Sequence, residues 1–326
     1  MAELIPDDID FSAYLKESDA KRKVKPASVF IDDSIEKLRN HANVKKVFLP
    51  WDKTHALIDF KMGEVSLWCG QNGHGKSLMT TQLALSLMGQ NERACIASFE
   101  MKPTTTITRM ARLYAGTNPY SPEYQDGIDE LAKLYTEFSQ WSDGKLWLYD
   151  QQGTAKAELV IGMARYCAKE LGIRHVFIDS LMKCVAGEDD YNGQKLFVDE
   201  MCALAKDNDC HIHLVHHLRK PASEAAIPDK HDTKGSGSIT DQVDNVFMVW
   251  RNKPKEEDFR LNGKMGKKQQ EPDSYLLCRK QRNYEGSEDG EPSIGLWMHR
   301  DSSQFLGSPT DEPMLFGNWP HRATSF

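Results

Sequence analysis

The sequence predicts an α/β protein: a mostly parallel, twisted sheet flanked by helices, with antiparallel strands at its C-terminal end. Three observations carry that expectation. Between about Val47 and Phe305, short apolar runs rich in β-branched and aromatic residues alternate with helical periods, the pattern of a parallel sheet buried on both faces. The octet Gly70-Gln71-Asn72-Gly73-His74-Gly75-Lys76-Ser77 stands directly between one such run and a helical run beginning at Leu78. From Ser274 onward the runs follow one another through short polar connections, which suits antiparallel neighbours.

Composition narrows the classes. With 41 basic against 48 acidic residues among 326, the net charge of −7 excludes a uniformly basic nucleic-acid coat. No run approaches the roughly 18 apolar residues of a membrane helix. The start, Met1 to Asp8, has no basic leader pattern, so a cytoplasmic protein with no membrane partner is expected. Cysteines 69, 95, 167, 184, 202, 210 and 278 are odd in number and scattered through apolar stretches. They read as small buried hydrophobes, not as a disulfide or zinc framework.

Taken in order, residues 1–45 form a polar arm with a basic cluster at Lys21, Arg22, Lys23 and Lys25, followed by a helical pattern from Ser28 to Ala42. Residues 46–305 form the core and 306–326 a tail. Strands are predicted over Glu64–Cys69, Ala94–Phe99, Lys145–Tyr149, His175–Ile178, Ile212–Val215, Asn245–Trp250, Ser274–Arg279 and Ile294–Met298. Helices are predicted over Leu78–Met88 and through Val160, Met163, Ala164, Cys167 and Leu171, closed by Gly172. The lysine-rich segment Asn252–Pro272 is expected to be an exposed, mobile hairpin tip. The tail mixes Asp311 and Glu312 with Met314, Leu315, Phe316 and Trp319; it should be disordered or pack on the protein itself, with partner docking the alternative.

The octet fits GxxxxGK[ST] in its required strand-loop-helix setting. Glycines let successive N–H groups turn toward one point, where they and the helix N-terminus hold an oligophosphate. ATP with Mg²⁺ is the expected ligand, contacted by Gly70, Gln71, Asn72, Gly73, His74, Gly75 and Leu78. Lys76 neutralises phosphate oxygens and Ser77 coordinates the metal. Magnesium also needs a carboxylate at the end of a neighbouring buried strand, which Asp179 supplies after His175–Ile178. Glu100 follows the apolar strand Ala94–Phe99, at the carboxyl edge where ligands of parallel sheets bind, and is the candidate base for activating water.

Further motifs make a more specific likeness. Ser98-Phe99-Glu100-Met101 with Thr108-Arg109-Met110, Ile178-Asp179-Ser180-Leu181, Val215-His216-His217-Leu218-Arg219, Asp232-Thr233-Lys234-Gly235-Ser236-Gly237-Ser238-Ile239 with Asp244-Asn245-Val246, and Lys280-Gln281-Arg282-Asn283 occur in that order. Over residues 45–305 the chain resembles the DnaB family of hexameric replicative helicases, most of all its phage primase-helicase and Twinkle members, which share a RecA-like P-loop NTPase core. The resemblance implies that Glu100 is the general base, that Arg109 belongs to the nucleotide site, and that His217 senses the γ-phosphate where bacterial members have Gln. His216, beside it, points to the opposite face of the strand by period-two geometry and is expected to be structural.

The resemblance further implies that Lys280 and Arg282, two apart and so on one face of a strand, reach a neighbouring subunit's nucleotide, making a ring part of the chemistry. It implies single-stranded or forked DNA in a central channel, contacted by loops at about 183–195 and 219–237. Arg219, Lys220, Lys230, Lys234, Gly235 and Ser236 are the candidate contacts, while Glu188, Asp189 and Asp190 weaken the first loop's claim. The 45-residue arm shows neither a zinc ribbon nor an acidic primase signature and leaves no room for the helical N-terminal domain of bacterial members, so a separate primase, polymerase or loader is expected, and the compact layout suggests a phage or mobile element. A RecA-like filament ATPase, or a nucleotide-switched loader or regulator that binds DNA without unwinding, remain the alternatives.

Overall fold

The computed structural model describes residues 46–121, 128–187, 189–219, 223, 225–235, 237–283 and 292–317, together with positions 27, 28, 31, 34, 35 and 39, which are helical. The remainder of the arm, Glu188, Lys220, Ser236 and residues beyond 317 lie outside the described residues.

Among the described residues nine strands form one sheet: β1 (Val65–Gly70), β2 (Ala94–Ser98), β3 (Leu146–Tyr149), β4 (His175–Asp179), β5 (His211–His217), β6 (Asn245–Arg251), β7 (Ser274–Gln281), β8 (Ser293–His299) and β9 (Gln304–Leu306), in spatial order β3-β2-β4-β5-β1-β6-β7-β8-β9. Strands β3 to β6 in that order pair in parallel; β7, β8 and β9 are antiparallel. This is the predicted fold class, with β9 an addition that its three residues were too short to announce. Every residue of β1, β2, β4 and the first six of β5 is buried, because both faces are covered. Helices α1 (Lys76–Gly89), α2 (Pro103–Ala115) and α3 (Ile128–Ser142) pack on one face, with Trp68 and Phe247. Helices α4 (Ala157–Lys169), α5 (Tyr191–Asn208) and α6 (Ser238–Gln242) pack on the other, with Leu67 and Cys69. Adjacent β1 residues thus serve opposite cores, as strand alternation requires. All seven cysteines are buried and free. No described helix is long and apolar enough to cross a membrane.

Two expectations need correction. The segment 252–272 is not a hairpin tip: α7 (Lys253–Asn262) occupies half of it. Asn252 caps the helix by accepting from the Lys255 N–H at 3.1 Å, and Pro254 lies in the first turn, a start signal that the surrounding lysines obscured. Asp258 then folds the following residues back by accepting from the Lys268 N–H at 2.8 Å. The loop expected over 183–195 is shorter, because α5 begins at Tyr191 with Asp190 capping the Gly193 N–H at 2.9 Å. The described part of the tail packs on the protein. Met314 exchanges backbone bonds with the Gln304 side chain at 2.7 and 3.0 Å, and Phe316 lies against Trp141.

Behind the site, three buried histidines fill the sheet between β4 and β5. The Trp68 N–H donates to His213 Nδ1 at 3.2 Å, so the proton of the neutral His213 ring sits on Nε2, 3.3 Å from His175 Nδ1. His211 Nδ1 lies 2.7 Å from the Lys61 carbonyl, which can only accept, leaving Nε2 to accept from Ser66 Oγ at 2.8 Å. Burial pushes His211 down to about 4 and His213 well below its usual value. The unfolded chain, titrating near pH 6.5, therefore takes up these protons first. Stability present above about pH 6.5 should be lost as pH falls toward 4. Thermal melts from pH 7 to 5 should show a falling midpoint, and a shallower fall in His213→Leu, even though that variant is less stable at pH 7 for want of the Trp68 acceptor. An equal slope in the two proteins would contradict the assignment.

Candidate active site at the carboxyl edge of the sheet

The parallel register lines up the ends of four strands. Gly70 pairs with His217 across β1 and β5, Ser98 with Asp179 across β2 and β4, and Asp179 with Val215 across β4 and β5. Glu100, two residues past Ser98, lands beside Asp179 and His217 for that reason.

Gly73 and Gly75 adopt φ of 76° and 92°, left-handed values that open the loop and leave Gly75 as the N-cap of α1. A Cβ on Gly75 would lie 3.1 Å from the Phe305 ring, whereas one on Gly73 would meet nothing within 4 Å. Lys76 is buried, and its Nζ donates to the Gly70 carbonyl at 2.8 Å and the Gln71 carbonyl at 3.0 Å. Burial lowers its pKa, opposed by the charge of Asp179. Ser77 Oγ donates to Asp179 Oδ2 at 2.5 Å. Desolvation raises the Asp179 pKa, and the Ser77 bond opposes it. A hydroxyl and a nearly buried carboxylate converging beside a phosphate-loop lysine are oxygen donors of the kind that could hold Mg²⁺, and these residues fit that ion.

Glu100 Oε1 stands 3.6 Å from His217 Nε2 and accepts from Ser180 Oγ at 3.3 Å. The His217 ring, acting as donor, holds Glu100 below its usual value against partial burial, with Ser180 and Lys183 adding to the effect. A carboxylate kept ionised and half open to solvent can take a proton from water.

One cleft of about 530 Å³ is lined by Asn72, Gly73, Gly75, Lys76, Ser77, Leu78, Glu100, Arg109, Asp179 and His217, all named from the sequence, and by Arg112 and Ser303, which were not. Arg112 donates to the carbonyls of Asp301, at 2.7 Å, and Arg300, at 2.5 Å, and so joins α2 to the β8–β9 turn at the cleft wall. Its signal was available: it lies one turn after Arg109 on the same helix. Gln71 faces a neighbouring cavity of about 1120 Å³, which also reaches Asn72, Glu100, Lys183, His217, Arg219 and Lys234. His74 does not face the cleft; its buried ring accepts from the Arg251 N–H at 3.3 Å, bracing the loop against β6.

Among the DNA candidates, Arg219 and Lys234 share the larger cavity, and Lys230 lies in a single 3₁₀ turn over Lys230–Asp232. Gly235 is buried with φ 86°, and a Cβ there would sit 2.1 Å from Gln194 Oε1; its carbonyl accepts from Arg219 Nη2 at 3.1 Å. Lys220 and Ser236 lie outside the described residues.

Lys280 and Arg282 do not join this site. Asn245 pairs with Gln281, which puts both at the amino end of β6, the opposite edge from the phosphate loop. Lys280 Nζ donates to the carbonyls of Thr240, Asp241 and Val243 at 2.7–2.9 Å. Arg282 pairs with Asp244 Oδ1 at 3.0 Å and donates to the carbonyls of Asp241 and Gln242. Both project from one face, as expected, and cap the C-terminal end of α6 within their own subunit.

With the fold and the cleft established, comparison with known proteins gives the class. Residues 56–223, more than half the chain, match the AAA domain family, and the chain belongs to it. Among solved structures the chain is similar to an ATPase domain, with TM-score 0.67 and 15% identity over 85% of this chain and 98% of that one. It is also similar to a DnaB-like replicative helicase described with its interactions with primase, with TM-score 0.66 and 14% identity over 87% of this chain and 67% of that one. At such identities the likeness is one of fold: a RecA-like, mostly parallel sheet flanked by helices, with antiparallel strands at its C-terminal end.

Titration with a fluorescent ATP analogue should separate the two loop glycines. Gly73→Ala carries the left-handed backbone penalty alone, about 1–2 kcal/mol at most, whereas Gly75→Ala suffers the same backbone penalty and the Phe305 ring besides and should lose at least several-fold more affinity than Gly73→Ala. Equal losses would show that the Phe305 contact does not shape the loop.

Proposed function

We propose that this chain is an ATP-driven, ring-forming DNA helicase of the DnaB type, which moves along single-stranded DNA and separates a duplex. The observation that carries the proposal is the convergence of Lys76, Ser77, Asp179, Glu100 and His217 on one cleft within a helicase-like fold.

In this reading the loop N–H groups and Lys76 hold the phosphates of ATP, and Arg109 and Arg112 close the cleft beyond them. A Mg²⁺ ion bound by Ser77 and Asp179 would neutralise charge on the phosphate oxygens. For its part, Ser77 must first exchange its bond to Asp179 for that role. Glu100, held ionised, orients a water for in-line attack on the γ-phosphorus and accepts its proton, as the bond from that phosphorus to the β–γ bridging oxygen breaks and ADP leaves with the electron pair. Once nucleotide occupies the cleft, the loop-facing Lys76 Nζ and the His217 ring donate to the γ-phosphate oxygens as negative charge develops there. Lys280 and Arg282, being at the far edge of the sheet, can serve only a neighbour's nucleotide, as donors in trans. Arg219, Lys220, Lys230, Lys234, Gly235 and Ser236 follow the DNA phosphates in the channel. Residues 46–305 are the motor, with a primase or loader as a candidate partner.

One observation favours the alternative of a nucleotide-switched DNA-binding loader or regulator: the caps made by Lys280 and Arg282 occupy both donors in their own subunit. Strand separation of a forked duplex decides between the two. The helicase reading predicts ATP-dependent unwinding by the wild type. It also predicts that mixing Arg282→Ala subunits with Glu100→Gln subunits, each inactive alone, restores part of the hydrolysis, because intact cleft and intact arginine then meet across an interface. DNA and nucleotide binding without unwinding, and no rescue on mixing, would favour the switch.

A further inference from the structure

Sequence reading leaves His216 as a structural neighbour of the phosphate-facing His217, yet its ring is engaged where the reaction would meet DNA. Strand alternation turns His217 to the cleft and His216 to the opposite face, where it is fully buried. There His216 Nε2 lies 2.6 Å from the Lys234 carbonyl oxygen. A carbonyl only accepts, so Nε2 carries the proton. Burial pushes the ring down to about 4, so it is neutral at physiological pH and holds that single proton. Nδ1 has no hydrogen-bond partner among the described residues.

The same lysine is gripped a second time, since the Lys234 N–H donates to the His217 carbonyl at 3.0 Å. Around this double grip the segment 232–235 is laid against the end of β5. Leu218 pairs with Thr233 in an isolated antiparallel bridge, and the Arg219 N–H donates to the Asp232 carbonyl at 2.8 Å. Gly235 is wedged against Gln194 and its carbonyl accepts from Arg219. Lys234 and Arg219 then open into the cavity of about 1120 Å³ that also contains Glu100 and His217.

We propose that His216 is a positioning residue: its Nε2–H bond to the Lys234 carbonyl ties the segment 232–235, and with it Lys234 and Arg219, to the strand end that bears His217, so that the grip of these two basic residues on single-stranded DNA follows the state of the nucleotide. This rests on the DNA-translocating reading above. A shift of the His217 backbone toward the γ-phosphate pulls the Lys234 N–H directly. The His216 ring makes the attachment two-point and keeps the lysine from swivelling about one bond. The requirement is a neutral donor at the reach of Nε2 on a fully enclosed face. Glutamine, whose amide nitrogen reaches about as far, meets it, and leucine, of similar bulk, does not.

The test measures binding of a fluorescent oligo-dT strand to the full chain, once with a non-hydrolysable ATP analogue and once with ADP. The wild type should bind more tightly with the analogue, by a factor on the order of tenfold. His216→Leu should bring that ratio close to one while its nucleotide affinity and thermal midpoint are followed in the same samples, and His216→Gln should restore the ratio. A merely structural role would lower the midpoint without moving the ratio selectively. Should the leucine variant not fold, His216→Asn, polar but too short to reach Lys234, replaces it with the same expectation. A wild-type ratio retained in the leucine or asparagine variant, or a glutamine variant that is folded but uncoupled, overturns this inference alone. A wild type that does not bind the strand in either state overturns the DNA-translocating reading and this inference with it.

Discussion

The parallel register of β2, β4, β5 and β1 is the constraint on which the rest depends. It sets Ser98 level with Asp179 and Asp179 level with Val215, with the paired Gly70 and His217 two residues further on, so that residues far apart in sequence end at a common edge. Parallel strands demand crossover helices on both faces, and the two apolar cores formed by those helices bury β1, β2 and β4 throughout. A slip of one residue in β4 would turn Asp179 away from Ser77 and break the 2.5 Å bond between them.

At that edge the chain holds charge in a partly desolvated place by giving each charge a partner. Lys76 is buried but caps two carbonyls of its own loop, Asp179 is buried but bonded to Ser77, and Glu100 is held ionised by His217 and Ser180. Each of these bonds is one that a triphosphate with its metal can replace. The cleft is thus preorganised with internal stand-ins for its ligand, which limits the reorganisation that binding requires. The opposite edge follows the same rule: Lys280, Arg282 and Asp244 tie α6 to the amino end of β6 and the end of β7 beside it.

Much of this was legible in the sequence because the signals are local. The phosphate loop announces itself by spacing, and the buried strands β1, β2, β4 and β5 by short, mostly apolar runs whose predicted ends fall within two residues of Gly70, Ser98, Asp179 and His217. What stayed hidden depends on contacts between distant segments. The closeness of Phe305 to Gly75, the pairing of Gln82 with the Phe305 backbone at 2.8 and 2.9 Å, and the His74–Arg251 brace come from β6 and the short β9, whose position no local pattern fixes. The α7 helix was hidden for a different reason: the lysines of that segment dominate its pattern and mask the Asn252-Lys253-Pro254 start signal. His216 was rightly placed on the far face by alternation, but its partner, Lys234, lies across a loop whose path only the folded chain defines.

The proposed mechanism assigns Glu100 as the base. The most direct test is the steady-state rate of ATP hydrolysis by Glu100→Gln at saturating ATP and Mg²⁺, with ATP affinity measured on the same protein. The predicted result is a rate lower by about 10²–10⁴-fold with affinity near that of the wild type. Hydrolysis at the wild-type rate would contradict it, because the cleft would then be taking the proton from water by another route.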